Sequence, residues 1–207
     1  MRKIIFIIFI SMFLLSCKKE RTFHITAKNA TTGEPYPGLS FEIQRSWSGA
    51  FENHYKSVGS GFLDENGEVY FTKRLHKNSS YSISVAPPPN TCYISDTDLH
   101  PGDETNFKAE FEFAECAYLK FRYKNTNCQN LDDHIRVKRF TNLDGYSGFL
   151  IDAEYYGCTD YTMPNYVEVP MGKWFFEWQV TKNNITSNFY DTIFLSSGEQ
   201  KFYEINY

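Results

Sequence analysis

Apolar and polar residues alternate along most of this chain. Phe23, Ile25 and Ala27 alternate with His24, Thr26 and Lys28, and Leu39, Phe41 and Ile43 with Ser40, Glu42 and Gln44. Tyr81, Ile83 and Val85 alternate with three serines, and Phe107, Ala109, Phe111 and Phe113 with Lys108, Glu110 and Glu112. Successive side chains of an extended chain point to opposite faces, so each run predicts a strand with one buried and one wet face. Val69 and Phe71 follow Asn66-Gly67, a pair that supplies the positive φ angles of a hairpin turn. No stretch after Cys17 keeps a helical period.

The order recurs downstream. Leu119, Phe121 and Tyr123 open a second half, followed by Ile135 and Val137, Val167 and Val169, then Trp174, Phe176, Trp178 and Val180, and finally Tyr203, Ile205 and Tyr207. Three landmarks superpose: Glu68–Phe71 on Tyr166–Val169, Tyr81–Val85 on Trp174–Trp178, and Leu99–Glu104 on Leu195–Gln200. The prediction is an all-β chain of two tandem Ig-like β-sandwiches, residues 22–115 and 116–207. The superposition puts the Trp174, Phe176, Trp178 stripe in a core.

The first copy also resembles the carboxypeptidase regulatory-like, or transthyretin-like, family. The resemblance rests on the turn Thr32-Gly33-Glu34-Pro35-Tyr36-Pro37-Gly38, the segment Leu63–Phe71 and the strand Ser80–Val85. It covers about residues 22–113 and implies a seven-stranded, non-catalytic sandwich. The second half departs from it, with Gln129-Asn130-Leu131-Asp132 in place of the Gly-Pro turn and no Asp-x-x-Gly.

The N-terminus has another character. Arg2 and Lys3 precede an apolar run from Ile4 to Leu15. The run is too short to span ~30 Å of hydrocarbon but fits the apolar region of a signal peptide. It ends in Leu14-Leu15-Ser16-Cys17, which resembles the bacterial lipobox. The resemblance implies a signal peptide over residues 1–16, lipidation of Cys17, and a tether over 17–21. Lys18 is not the Asp that retains enterobacterial lipoproteins in the inner membrane, so a lipid anchor in the outer membrane is expected. Some Bacteroidota lipoproteins carry an acidic export tag at this place; here only Glu20 is acidic, and both the periplasmic and the cell-surface face are compatible.

Composition then narrows the function. With 42% apolar and 22% charged residues in 207, the chain can form a packed core, and the 18% aromatic share favours strands. A net charge of −4 argues against nucleic acid. Apart from Cys17 there are four cysteines, Cys92, Cys116, Cys128 and Cys158. An even number in an exported chain points to two disulfides. Of three connectivities, Cys128–Cys158 with Cys92–Cys116 is favoured, because each closes a loop of moderate length. No CxxC and no histidine at ligand spacing accompanies them, so no metal is expected, nor any cofactor. The histidines are scattered, Asp132 and Asp133 point to opposite faces as neighbours on a strand, and Gly59-Ser60-Gly61 lacks the rest of a nucleophile elbow. Asp191-Thr192-Ile193 resembles the Bacteroidota O-glycosylation tripeptide.

Two long connections, Ser46–Leu63 and Thr141–Asn165, hold Trp47, Phe51 and Tyr55, and Tyr146, Phe149, Tyr155, Tyr156 and Tyr161. These aromatics are either a binding surface on loops or the filling of each core from middle strands hidden in those segments. The reading is a non-enzymatic, lipid-anchored envelope protein that binds protein or glycan. The alternatives are a structural subunit of an outer-membrane transport or adhesion assembly, or a hydrolase with an unrecognised acidic pair.

Overall fold

A computed structural model describes residues 18–49, 52–76, 79–95, 99–100, 106–146 and 153–207. The signal segment, Cys17, Phe51 and Phe149 lie outside the described residues. The described chain is all-β, with no helix. Its strands are β1 (Lys18–Asn29), β2 (Ser40–Ser48), β3 (Asn53–Phe62), β4 (Glu68–His76), β5 (Ser80–Val85), β6 (Thr91–Ile94), β7 (Leu99–His100) and β8 (Asn106–Lys124). These are followed by β9 (His134–Thr141), β10 (Ala153–Tyr156), β11 (Asp160–Thr162), β12 (Val167–Pro170), β13 (Gly172–Lys182), β14 (Ile185–Leu195) and β15 (Gln200–Asn206).

The chain divides into two compact units. One takes the chain as far as Lys28, with Glu34–Pro87 and Asp96–Phe111; the other takes Asn29–Gly33, Pro88–Ser95 and Glu112–Tyr207. The expected division at 115/116 thus falls inside β8, which gives its first part to one unit and the rest to the other. Along β8, Phe107, Ala109, Phe111 and Phe113 are buried in one alternation and Ala117, Leu119, Phe121 and Tyr123 in another of the same phase; between them Ala114 and Cys116 are buried and Glu115 is half-exposed, so the pattern breaks close to where the strand passes from one unit to the other. Lys18–Arg21, expected as a tether, is instead strand: it pairs with Arg74, Lys73 and their neighbours in β4, and Arg21 is buried.

In the first unit, β3-β2-β5-β7 form one sheet, and β4, β1 and the start of β8 lie in the other. Phe23, Ile25, Phe41, Ile43, Tyr81, Ile83 and Phe107 fill the core, with Phe23 and Phe107 stacked at 4.6 Å. The buried Arg21 guanidinium lies against the rings of Tyr81 and Phe107, at 5.6 and 5.5 Å. In the turn before β4 only Gly67 has positive φ, not Asn66. Asp64 Oδ1 accepts the Asn66 and Glu68 backbone N–H groups, which replaces the expected two-residue turn by an Asp-capped one.

The second unit repeats the strand order. Its sheet β10-β9-β13-β14 corresponds to β3-β2-β5-β7, and β12 pairs antiparallel with β8 as β4 does with β1. The last strand, β15, runs parallel to β8. Trp174 and Phe176 are fully buried with Phe121, Ile135, Val137 and Val169, and the Trp174 indole N–H donates to the Pro170 carbonyl at 3.0 Å. Arg139 is buried with its guanidinium 4.2 Å from the Phe121 ring centre. Both units therefore stack a buried arginine on aromatic rings, which burial patterns read from apolar residues alone do not reveal. Disulfides join Cys92 to Cys116 and Cys128 to Cys158, the pairs favoured from the sequence, and both lie in the second unit.

A polar knot closes one end of this unit. The enclosed Asp133 carboxylate accepts the Gln129 backbone N–H at 2.8 Å and the Asn125 amide N–H at 2.9 Å. Lys182 Nζ donates to Asn125 Oδ1 at 2.8 Å and to the Asn127 carbonyl at 3.0 Å. The Gln129 and Asn125 donors hold the Asp133 carboxyl below the usual carboxylate range.

Candidate functional site

The aromatics singled out from the long connections separate by environment. Ser46–Leu63 is largely strand: β3 occupies most of it and pairs with β2 along its length. Trp47 is half-buried, stacked on His54 at 5.2 Å with the Arg45 guanidinium 4.4 Å from its ring centre. Tyr55, opposite Ser46 across the hairpin and so on the other face, is exposed. In the other unit, Tyr146 meets Trp174 edge-on at 6.4 Å and Tyr155 lies 5.0 Å from Tyr123, so both pack against the core. Burial raises the titration of both phenols. Tyr161, stacked on Tyr155 at 5.1 Å, is 37% exposed, and Tyr156 is open, 62% exposed and stacked flat on His134 at 4.4 Å. The Glu154 carboxylate beside it, which accepts its O–H at 3.2 Å, pushes the Tyr156 phenol up.

Tyr156 belongs to a larger surface that the sequence reading did not assemble. In β10-β9-β13-β14, side chains alternate between the core and an outer face. Register places on that face the row Tyr156, His134, Thr181, Thr186, then Glu154, Arg136, Gln179, Asn188, then Lys138, Glu177, Tyr190, and then Phe140, Phe175, Thr192. Aromatic rings mark its two ends: Tyr156 on His134 at one, and Phe140 on Phe175, stacked at 5.1 Å, with the 86%-exposed Tyr190 at the other. Between them lies a groove of about 300 Å³ lined by Arg136, Lys138, Glu177, Gln179, Asn188 and Tyr190. Arg136 Nε lies 3.5 Å from Glu154. A neighbouring groove of about 420 Å³ has Trp178, Val180, Ile185 and Phe189 in its walls, with Lys182 and Tyr207. Trp178 and Phe189 stack at 5.7 Å and border both.

One signal could have found this face. Lys173, Phe175, Glu177 and Gln179 alternate with the core stripe Trp174, Phe176 and Trp178, so the stripe specifies its own outward partners. A second signal fixes β14: Asn183 and Asn184 both adopt positive φ, 49° and 60°, the two-residue turn that folds β14 back on β13.

Among the described residues, Cys92, Cys116 and Glu168 converge closely enough for a metal, but the sulfurs are bonded to each other and offer no thiolate. The carboxyls with displaced titration, Glu110, Asp133, Asp160 and Glu204, are all held down by donors or cations, so each is an ion at neutral pH rather than a proton donor.

No family model and no curated protein matches the chain. Solved structures overlap it partially. The Bacillus anthracis TIE protein is 15% identical over 90% of this chain with a TM-score of 0.37, and the chain spans 34% of that protein. The minor pilin GBS52 of Streptococcus agalactiae is 8% identical, with 90% of this chain and 94% of that one covered and a TM-score of 0.35. The shaft pilin SpaA of Lactobacillus rhamnosus GG, as its D295N mutant, is 10% identical, with 91% and 97% covered and a TM-score of 0.34.

Proposed function

We propose that this chain is a non-catalytic, lipid-anchored binding protein of a bacterial envelope, held in the outer membrane through Cys17, and that its contact surface is the outer face of β10-β9-β13-β14. The observation that carries the reading is the row order of that face, in which exposed rings at both ends flank a groove of paired charges and amides. Exposed rings beside polar side chains are the composition of surfaces that bind. The displaced carboxyls, all ionised, support a role without acid–base chemistry. The acid excess of the chain disfavours nucleic acid.

A photo-crosslinking residue at position 188, installed in intact cells, is expected to capture a partner or envelope polymer that the same residue at the exposed Leu131 does not. Equal capture at both positions, or none, removes the assignment. Cys17→Ser is expected to move the protein from the carbonate-washed membrane pellet to the soluble fraction; retention in the pellet removes the anchor.

A second reading, a structural subunit of an envelope assembly, draws on β14. Among the described residues this strand pairs only with β13, and its one charge is Asp191. A long edge strand without Lys or Pro invites pairing with another chain. Concentration-dependent association in sedimentation, lost in Ser187→Pro, is the sign of that role.

A further inference from the structure

The binding surface proposed above is defined by geometry and not by its occupant; this inference rests on that reading and names the occupant. We propose that the face takes a neutral oligosaccharide, with one sugar ring on Tyr190 and its hydroxyls held by Glu177, Gln179 and Asn188.

The first reason is size. Successive residues on one face of a strand are roughly 7 Å apart, and neighbouring strands about 4.8 Å apart. Arg136, Gln179 and Asn188 in one row and Lys138, Glu177 and Tyr190 in the next thus bound a patch of roughly 7 by 10 Å. The groove over them, about 300 Å³, sits at the small end of ligand sites, suited to one ring at a time. Tyr156 stands two rows away and on the opposite edge strand from Tyr190. The diagonal between these two rings is about 20 Å. A chain of sugars laid along it would meet a ring at each end and polar groups throughout.

The second reason is chemistry. A sugar ring presents an apolar C–H face and a rim of hydroxyls, each both donor and acceptor. Tyr190, 86% exposed, offers an open aromatic face. Gln179 and Asn188 each donate and accept, Glu177 accepts, and Arg136 and Lys138 donate. The side chains facing the groove thus match a polyhydroxyl ligand in both senses.

The third reason is charge. Over the groove, Arg136 and Lys138 are balanced by Glu154 and Glu177 on adjacent strands of the same face, and Lys173, two rows beyond Glu177, is the one further cation of the face among the described residues, so the groove has no net charge to hold a polyanion or an anionic headgroup. A peptide added as a strand is disfavoured too. The groove lies over β13 and the adjoining side of β14; both edges of β13 are taken, by β9 and β14, and the open edge of β14 lies beside the groove rather than beneath it, so no backbone ladder is open to a peptide seated there.

The test uses the full-length protein, solubilised in detergent, with three neutral soluble polysaccharides as probes: a mixed-linkage β-glucan, an α-glucan and an α-mannan. Dextran sulfate is the charged control. Affinity electrophoresis and isothermal titration are expected to show binding to at least one neutral probe and none to dextran sulfate. Tyr190→Ala and Glu177→Gln are each expected to weaken that binding about tenfold or more with an unchanged thermal midpoint. Binding to none of the three, equal binding by both variants, or preference for dextran sulfate overturns the inference. If no probe binds while the residue at position 188 still captures a protein from cells, the saccharide is wrong and the surface assignment stands. If neither occurs, both fall.

Discussion

Asp133 shows how one buried carboxylate ties the second unit to pH. Its two N–H donors stabilise the ion, so its folded-state titration lies below the value of ~3.9 it has in an unfolded chain. The unfolded state therefore binds more protons as the pH falls, and the contribution of Asp133 is fully present above about pH 5 and is lost as the pH drops through the folded value. The exposed Asp160 beside Arg122, Glu110 beside Lys108 and Glu204 beside Asn206 act in the same sense, but salt screens the pairs with cations. In roughly 0.5 M salt, the urea midpoint of the wild type is expected to fall steeply below about pH 4. Asp133→Asn is expected to start lower at neutral pH and to show a shallower fall. Parallel profiles for the two would place the acid sensitivity elsewhere. Nothing in the local sequence marks Asp133 over Asp132. Only the fold, which encloses one and leaves the other exposed, separates them.

At the scale of elements, the β13–β14 hairpin decides whether the outer face exists. Its turn needs two residues with positive φ, and Asn183 and Asn184 meet that need because asparagine tolerates the left-handed region better than most. Asn184→Val is expected to destabilise the protein by about 1–2 kcal/mol, and Asn184→Gly to leave it unchanged or firmer, as read by thermal melting. An Asn184→Val protein with a wild-type midpoint would mean that the strands set the turn rather than the reverse. The strands themselves were legible in sequence wherever one face is buried, as in Phe23-Ile25-Ala27 or Phe107–Phe113. β3 was hidden because its pattern is weak: Gly59 and Gly61 stand where side chains would show alternation. A methyl group at Gly59 would run into the Phe71 ring, so the position that blurs the pattern is the one that lets the sheets close. β14 is exposed on both faces over most of its length and carries no period to read. The same lack of contrast hid the candidate site, whose residues belong to four strands and become neighbours only through register.

For the whole molecule, the repeat seen in three sequence landmarks corresponds to a repeat of pairing, with β4 and β12 in matching places, and likewise β5 and β13. Sequence could not show that the units interleave, because Asn29–Gly33, which begins at the end of β1, and Pro88–Ser95, which holds β6, are short segments whose membership depends on packing. Both bridges fall in one unit, so removing either pair should act there. Cys128→Ser with Cys158→Ser is expected to cost about 2–4 kcal/mol in urea unfolding under oxidising conditions. Hydrogen exchange should then rise in Glu112–Tyr207 and stay at wild-type levels in Glu34–Pro87. A uniform rise would mean that the two units unfold as one.

The uneven placement of the bridges gives the chain a calendar. In a reducing compartment its thiols stay apart, and the unit bearing the groove lacks two of its fastenings. The other unit has no disulfide among its described residues. If the chain is exported as proposed, the unit that bears the groove gains both fastenings only after crossing into an oxidising space. Molecules kept in a reducing compartment are therefore expected to be weakened in the unit that bears the groove and not in the other.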